Sequence, residues 1–185
     1  MFKIIFDRTI AFCALSVLFL PVFVPVWLLI HLTSKGGSIY SQTRIGKGCK
    51  PFKLYKFRSM VADADKQGFQ TNDGDSRITP VGRFLRKTSI DELPQLWNVL
   101  IGDMSLVGPR PDTPMQESSY TPADWQLRHT VRPGITGLAQ VNGRSNIGTE
   151  QRLAHDLDYA QNHNLLLDIR ILLKTLSIVL GKGAN

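Results

Sequence analysis

Soft metal ligands are scarce in this chain. Its two cysteines, Cys13 and Cys49, and its four histidines, His31, His129, His155 and His163, lack the spacing of a zinc site. A disulfide is not expected, because Cys13 lies within an apolar run and a reducing compartment suits both thiols. There is no glycine-rich phosphate loop, no dinucleotide fingerprint and no serine nucleophile elbow, which excludes the enzyme classes built on them. A recognition helix and a regularly interleaved aromatic platform are also missing, so nucleic acid is not an expected partner. No internal repeat or low-complexity segment occurs.

Acidic residues are in the minority. Lys and Arg total 22 against 15 Asp and Glu, a formal charge of +7. That excess favours anionic partners such as acidic headgroups or phosphorylated metabolites. A length of 185 residues allows one modest core, not two large domains.

From Ile10 to Ile30 there is no charge at all. At roughly 1.5 Å per residue, a continuous helix of this stretch just crosses a bilayer core. No small-x-small site follows it, which argues against a cleaved signal peptide. Pro21 and Pro25 each remove an amide donor and crowd the preceding turn, so a bend is expected. Lys3 and Arg8 flank one side, and Lys35, Arg44, Lys47 and Lys50 the other. Basic flanks prefer the cytoplasmic face. A helix that dips into one leaflet and bends at Pro21 satisfies both flanks; a kinked spanning anchor also fits.

In the remainder, Ser38–Tyr40 and Pro51–Tyr55 read as short extended pieces, and Asp63–Thr79 as a polar surface loop. Val81–Arg86 has the pattern of a short amphipathic helix. Leu93, Leu96, Trp97 and Leu100 give the firmest helical spacing, ended by Gly102. Gly108–Pro111 reads as extended or turn, and Arg132–Gly137 as a rigid turn. Thr121 caps a short helix with Pro122 at its first position. Glu150–Gln161 and Leu165–Leu180 follow as helices; Arg170, Lys174 and Ser177 share one face of the second, as on a membrane-interface helix.

Chemistry concentrates at Asp91-Glu92, the acidic pair before the principal helix. Adjacent side chains on a helix diverge by about 100°, so the two are not expected to share a proton. With Thr88 or Ser89 as cap, Asp91 would feel the positive helix end, which favours its ionised form. An ionised Asp serves as nucleophile toward phosphorus or as magnesium ligand, although first-turn acids also occur for capping alone. Lys56, Arg58, Arg110, Arg132 and Arg144 are candidate phosphate contacts, three of them framed by Pro or Gly turns. Asp73-Gly74-Asp75 and Asp156-Leu157-Asp158 have the Asp-x-Asp spacing used by nucleotide-sugar enzymes, a short pattern that also arises by accident.

Five longer motifs carry a resemblance: Pro51–Met60 (PFKLYKFRSM), Val81–Arg86 (VGRFLR), Thr88–Gln95 (TSIDELPQ), Gly102–Pro111 (GDMSLVGPRP) and Arg132–Arg144 (RPGITGLAQVNGR). Through them nearly the whole chain resembles the bacterial sugar transferase family, in its small monotopic phosphoglycosyl transferase form. Three positions depart from the family pattern: Leu20 stands where Ser usually precedes Pro21, Thr33 where Asp is common, and Ser41 where a basic residue is common. The resemblance implies a helix-rich α/β fold with a small sheet, a re-entrant membrane hairpin over 1–34 and a cytoplasmic catalytic domain with interfacial helices over 35–185. It implies transfer of a phosphosugar from a UDP-sugar to polyprenyl phosphate, with UMP released and Asp91 holding the phosphosugar covalently. Glu92 is implied beside it in handling Mg2+ or a proton, so both carboxylates are candidate metal ligands. Lys56, Arg58, Arg110 and Arg144 are implied at phosphates, and Asp103 and Asp156 in support. The implied location is the bacterial inner membrane, catalytic domain on the cytoplasmic face. Homo-oligomer formation and the identity of the sugar stay open.

Overall fold

The computed structural model describes residues 2–64, 74–143 and 147–181. The apolar segment forms helix α1 (Phe2–Leu18), a π-helical turn at Phe19–Phe23 and helix α2 (Val24–Thr33). Proline explains the π turn. Pro21 lacks an amide donor, and the wider turn accommodates the missing bond without ending the helix. Pro25 falls in the first turn of α2, where its missing donor costs little. Together these elements make a helical stretch over Phe2–Thr33 long and apolar enough to cross a membrane.

One side of this stretch packs on the body. Ala11, Phe6, Ala14 and Leu15 join the main core with Leu54, Leu96, Val99 and Met104. Ile30, Phe23 and Val26 join a second cluster with Phe57 and Leu85. Burying a side chain such as Ile30 stabilises by about 1.5–3 kcal/mol. Both ends are also tied down: the Lys3 ammonium reaches Asp168 at 2.6 Å, and Ser38 Oγ donates to the Trp27 carbonyl at 2.8 Å. The outer side presents Phe12, Val17, Leu20, Leu28 and Leu32 to solvent.

Strands β1 (Ile39–Ile45) and β2 (Pro51–Phe57) form an antiparallel hairpin with Gln42 opposite Leu54. Helix α3 (Pro80–Lys87) begins at Thr79, whose hydroxyl accepts from the Gly82 amide at 2.9 Å. Gly82 is required by packing. A Cβ there would lie 1.9 Å from the Ser59 carbonyl oxygen.

A 3-10 turn at Ile90–Glu92 precedes α4 (Gln95–Ile101), which Gly102 closes at φ 97°. Asn98 is fully buried on α4. Its amide accepts from the Tyr55 N–H at 3.1 Å and donates to the Lys53 carbonyl at 2.7 Å, fixing α4 to the free edge of β2. Trp97, one of the residues that give this helix its apolar spacing, is half exposed, while Asn98 and Gln95 are buried.

The expected single small sheet is two separate two-stranded sheets. Beside the hairpin, β3 (Ser105–Val107) pairs in parallel with β4 (Gly134–Thr136). The rigid-turn reading of Arg132–Gly137 therefore needs correction: its centre is a strand. Three residues have little strand preference of their own, and the pairing partner lies far off in sequence. Gly134 permits the approach, since a Cβ there would sit 2.1 Å from the Gly108 nitrogen. Helices α5 (Pro122–Arg128), α6 (Leu138–Gly143), α7 (Thr149–Asn162) and α8 (Leu165–Val179) complete the chain. Thr121 caps α5 as expected, accepting from the Asp124 amide. The outer face of α8 exposes Leu166, Leu173, Leu176 and Val179.

Candidate active site

The β2 strand, the Ile90–Glu92 turn and the Gly108–Pro111 segment converge on one cavity of about 780 Å³. Asn98 sets this convergence. By anchoring α4 to β2, it brings the preceding turn against Lys56. Lys56 Nζ then donates to Glu92 Oε1 at 2.7 Å, and Arg110 Nη2 donates to the same oxygen at 3.2 Å.

The two carboxylates have opposite surroundings. Asp91 is 7% exposed, and among the described residues no donor reaches its carboxylate. Burial pushes it up to about 6, with Lys56 pulling down and Glu92 pushing further up. Burial also opposes ionisation of Glu92, but Arg110 and Lys56 outweigh it and hold Glu92 at about 2. Near neutral pH Glu92 is a fixed anion, whereas Asp91 titrates close to the working range.

The expected helix-end stabilisation of Asp91 is not present. Ser89 adopts a left-handed backbone, φ 57°, and its side chain makes no cap bond. Thr88 Oγ1 donates backward to the carbonyls of Phe84 and Leu85. Asp91 belongs to a three-residue turn, and α4 begins only at Gln95. Too few peptide dipoles align behind the carboxylate to offset its burial.

Lys56, Arg58, Arg110 and Asp156 all line the cavity. Arg58 is anchored by its Nε to the Gly37 carbonyl at 2.7 Å and lies over the Tyr40 ring. Asp103 is absent from the lining; it stands at the end of α4, 3.4 Å from Asn98 Nδ2. Arg144 lies outside the described residues, as do Asp73 and the Asp63–Thr79 loop over residues 65–73.

Three further cations line the cavity that the motif reading did not select: Arg44, Arg86 and Arg152. Arg86 Nε donates to Ser59 Oγ at 2.9 Å. Arg44 grips Gln42 Oε1 and the Pro111 carbonyl. Burial and the neighbouring Arg110 bring Arg44 down to about 10, a sign that cations are crowded here. Arg86 was within reach of the sequence, since it ends the VGRFLR motif five residues before Asp91. Arg44 had no comparable local signal.

Asp156 is a buried member of the lining. Arg128 Nε and Nη2 donate to its Oδ2 at 3.1 and 2.8 Å, while burial pushes its pKa up against that pull. Arg128 also pairs with Asp112 and donates to the Arg110 carbonyl at 2.9 Å.

For a divalent cation the protein offers little by itself. Among the described residues no cluster of three or more His, Cys, Asp or Glu side chains comes together. Asp91 and Glu92 supply two carboxylates, which suits a magnesium ion completed by substrate phosphates and water.

A cavity with surplus cations around two unlike carboxylates suits phosphoryl chemistry. The sequence pattern described as Bacterial sugar transferase matches residues 1–182. The chain belongs to the bacterial sugar transferase family.

Members of this family named for their reactions match closely. One is the UDP-N-acetylgalactosamine-undecaprenyl-phosphate N-acetylgalactosaminephosphotransferase of Aeromonas hydrophila, 44% identical over 92% of this chain and 43% of its own length. Another is the UDP-glucose:undecaprenyl-phosphate glucose-1-phosphate transferase of Caulobacter vibrioides, 44% identical over 92% of this chain and 67% of its own. The exopolysaccharide production protein PSS of Rhizobium leguminosarum is 43% identical over 96% of this chain and 94% of its own. The chain thus spans under half of the first relative and nearly all of the third.

Proposed function

We propose that this sugar transferase moves a sugar-1-phosphate from a UDP-sugar to a polyprenyl phosphate, releasing UMP. The observation that carries this reading is the split between the carboxylates. Glu92 is held ionised by Lys56 and Arg110, and Asp91 stands beside it without a donor. An unencumbered carboxylate that ionises near pH 6 is matched to nucleophilic attack at neutral pH. An Asp91 oxygen attacks the β-phosphorus of the donor, and the phosphorus–oxygen bond to UMP breaks. The phosphosugar stays on Asp91 as an acyl phosphate. An oxygen of polyprenyl phosphate then attacks the same phosphorus, the bond to Asp91 breaks, and the carboxylate is restored.

Lys56 and Arg110 face the developing phosphate charge, with Arg58 and Arg86 further along the wall. Glu92 keeps the two cations in place. Bound magnesium, held by Asp91 and Glu92 together with phosphate oxygens, would neutralise charge on the leaving UMP. Names of the relatives differ in the sugar, and no residue here selects one.

The same reading places the protein on one face of a bacterial inner membrane, cytoplasmic side. The apolar outer sides of α1–α2 and α8 would enter the lipid. The Lys3–Asp168 pair and the Ser38–Trp27 bond hold both flanks of the apolar segment, and this supports a re-entrant arrangement.

The test is to incubate the detergent-extracted protein with polyprenyl phosphate, magnesium and a panel of UDP-sugars, and to measure UMP. Asp91-dependent UMP and a phosphosugar adduct on Asp91 by mass spectrometry are expected. Release of UDP instead would mean transfer of the sugar alone and would overturn the reading.

A further inference from the structure

Three buried atoms in the cavity wall have no hydrogen-bond partner: Oδ1 of Asp156 and both Oε1 and Nε2 of Gln140. Both residues line the cavity, on the neighbouring helices α6 and α7. Buried polar atoms are nearly always paired, because an unpaired one loses water and gains nothing. Here three such atoms fall in the wall of one cavity.

The arrangement is fixed, not accidental slack. Arg128 Nε and Nη2 both donate to Asp156 Oδ2, which holds the carboxylate and leaves Oδ1 unpaired. Asp156 is only 1% exposed. Ile135, Ala139, Val141 and Ile178 give the same cavity an aliphatic lining, beside Arg152, whose charge pulls the Asp156 pKa down.

The chemistry of these atoms restricts what completes them. A side-chain amide presents one donor and one acceptor side by side, and Asp156 adds another acceptor. Phosphate oxygens cannot satisfy acceptors, and a polyprenyl chain satisfies neither kind. A secondary amide, as in an acetamido sugar, is trans, so its N–H and C=O point in opposite directions. A cyclic imide holds its N–H directly between two carbonyls and matches the amide edge to edge. Its flat ring also suits an aliphatic slot.

We propose that Gln140 and Asp156 bind the uracil base of the nucleotide donor. Nε2 of Gln140 donates to a ring carbonyl, and Oε1 of Gln140 or Oδ1 of Asp156 accepts the imide N–H. This rests on the phosphosugar-transfer reading and adds a division of the cavity: cations for the phosphates, the α6–α7 wall for the base. Cytosine has a bare ring nitrogen where uracil has the N–H, so it would meet these acceptors with an acceptor.

The experiment is calorimetric titration of the full-length protein in nanodiscs with UMP, CMP and inorganic pyrophosphate. Wild-type protein should prefer UMP to CMP. Gln140→Ala should weaken UMP by roughly 10- to 100-fold, abolish that preference and leave pyrophosphate binding unchanged. Gln140→Glu keeps the shape but presents acceptors only, and should give the same pattern. UMP affinity retained in both variants would overturn the proposal and assign the amide to ordered water. Parallel loss of UMP and pyrophosphate in both would also overturn it, as a general collapse of the cavity. UMP release from a UDP-sugar without Gln140 dependence sinks this site and keeps the transfer reaction. Gln140-dependent UMP binding without any turnover sinks the transfer reaction and keeps the site.

Discussion

Two polar clusters in this protein are made from similar parts and arranged to opposite effect. At the cavity centre, Lys56 and Arg110 share one oxygen of Glu92, Asp91 lacks a donor, and further cations surround them. Between α1, β3 and α8, Lys3 lies 3.6 Å from Asp7 and 2.6 Å from Asp168. Ser105 Oγ donates to Asp7 at 2.6 Å, and the Tyr159 hydroxyl lies 2.6 Å from Asp168 and 2.9 Å from the Val107 carbonyl. None of these five residues lines the cavity. The second cluster is closed by its own hydrogen bonds and ion pairs, so it clamps four elements together, Tyr159 standing on α7. The first is left short of anions beside open space, so it waits for a substrate.

The comparison breaks most sharply at Asp91. Asp91→Asn should reduce UMP release by roughly 10³-fold or more, read by nucleotide assay. It should not weaken the fold at pH 7. The pKa of Asp91 is raised from 3.8 to about 6, so its contribution to stability is present below pH 3.8 and lost as pH rises through 6. Neutral Asn removes that penalty, and chemical denaturation at pH 7 should show equal or greater stability. Glu92→Gln should cost roughly 10² in rate by the same assay, because Lys56 and Arg110 lose the charge that places them.

The clamp should respond in the other currency. Tyr159→Phe removes the one O–H shared between Asp168 Oδ1 and the Val107 carbonyl and should cost about 1–3 kcal/mol in urea unfolding. Its UMP release per folded molecule should stay at the wild-type rate; a large fall at unchanged stability would erase the distinction between the clusters. A milder probe is pH. Between pH 5 and 7 UMP release should rise about tenfold as Asp91 ionises, with its midpoint near 6 and Glu92 ionised throughout. A midpoint near 4 would show an Asp91 that is not desolvated. Smallest of all, Thr79→Ala removes the cap of α3, the helix that carries Arg86. It should cost about 1 kcal/mol by thermal unfolding.

Local patterns were legible wherever the cause was local. The prolines marked where the apolar helix departs from regular α geometry, and a π turn stands there at Phe19–Phe23. Thr121 and Gly102 act as caps where their positions indicated. Strand β2 and helices α3, α7 and α8 fall within two residues of the patterned segments, whereas β1 runs on to Ile45, past the expected Ser38–Tyr40. What failed depended on distant partners. Parallel β3–β4 pairing joins Ser105–Val107, which carried no strand signal, to a motif that read as a rigid turn. Asn98, a polar residue within an apolar helix, is the latch to β2. Arg44 reaches the site only because Pro111 and Gln42 hold it there.

By itself the sequence determined the kind of protein: a basic chain with an apolar helix that carries two prolines, and an acidic pair in motifs long enough to mark its family. Periodicity, proline and charge are written residue by residue, so they can be read residue by residue. Only the tertiary structure decided which carboxylate is spare. Adjacent in sequence, Asp91 and Glu92 look alike, and the expected dipole would have ionised Asp91. Burial raises Asp91, while Lys56 and Arg110, which lie 36 and 18 residues from Glu92, lower Glu92. Desolvation and Coulomb forces depend on distance in space, and the fold alone sets that distance.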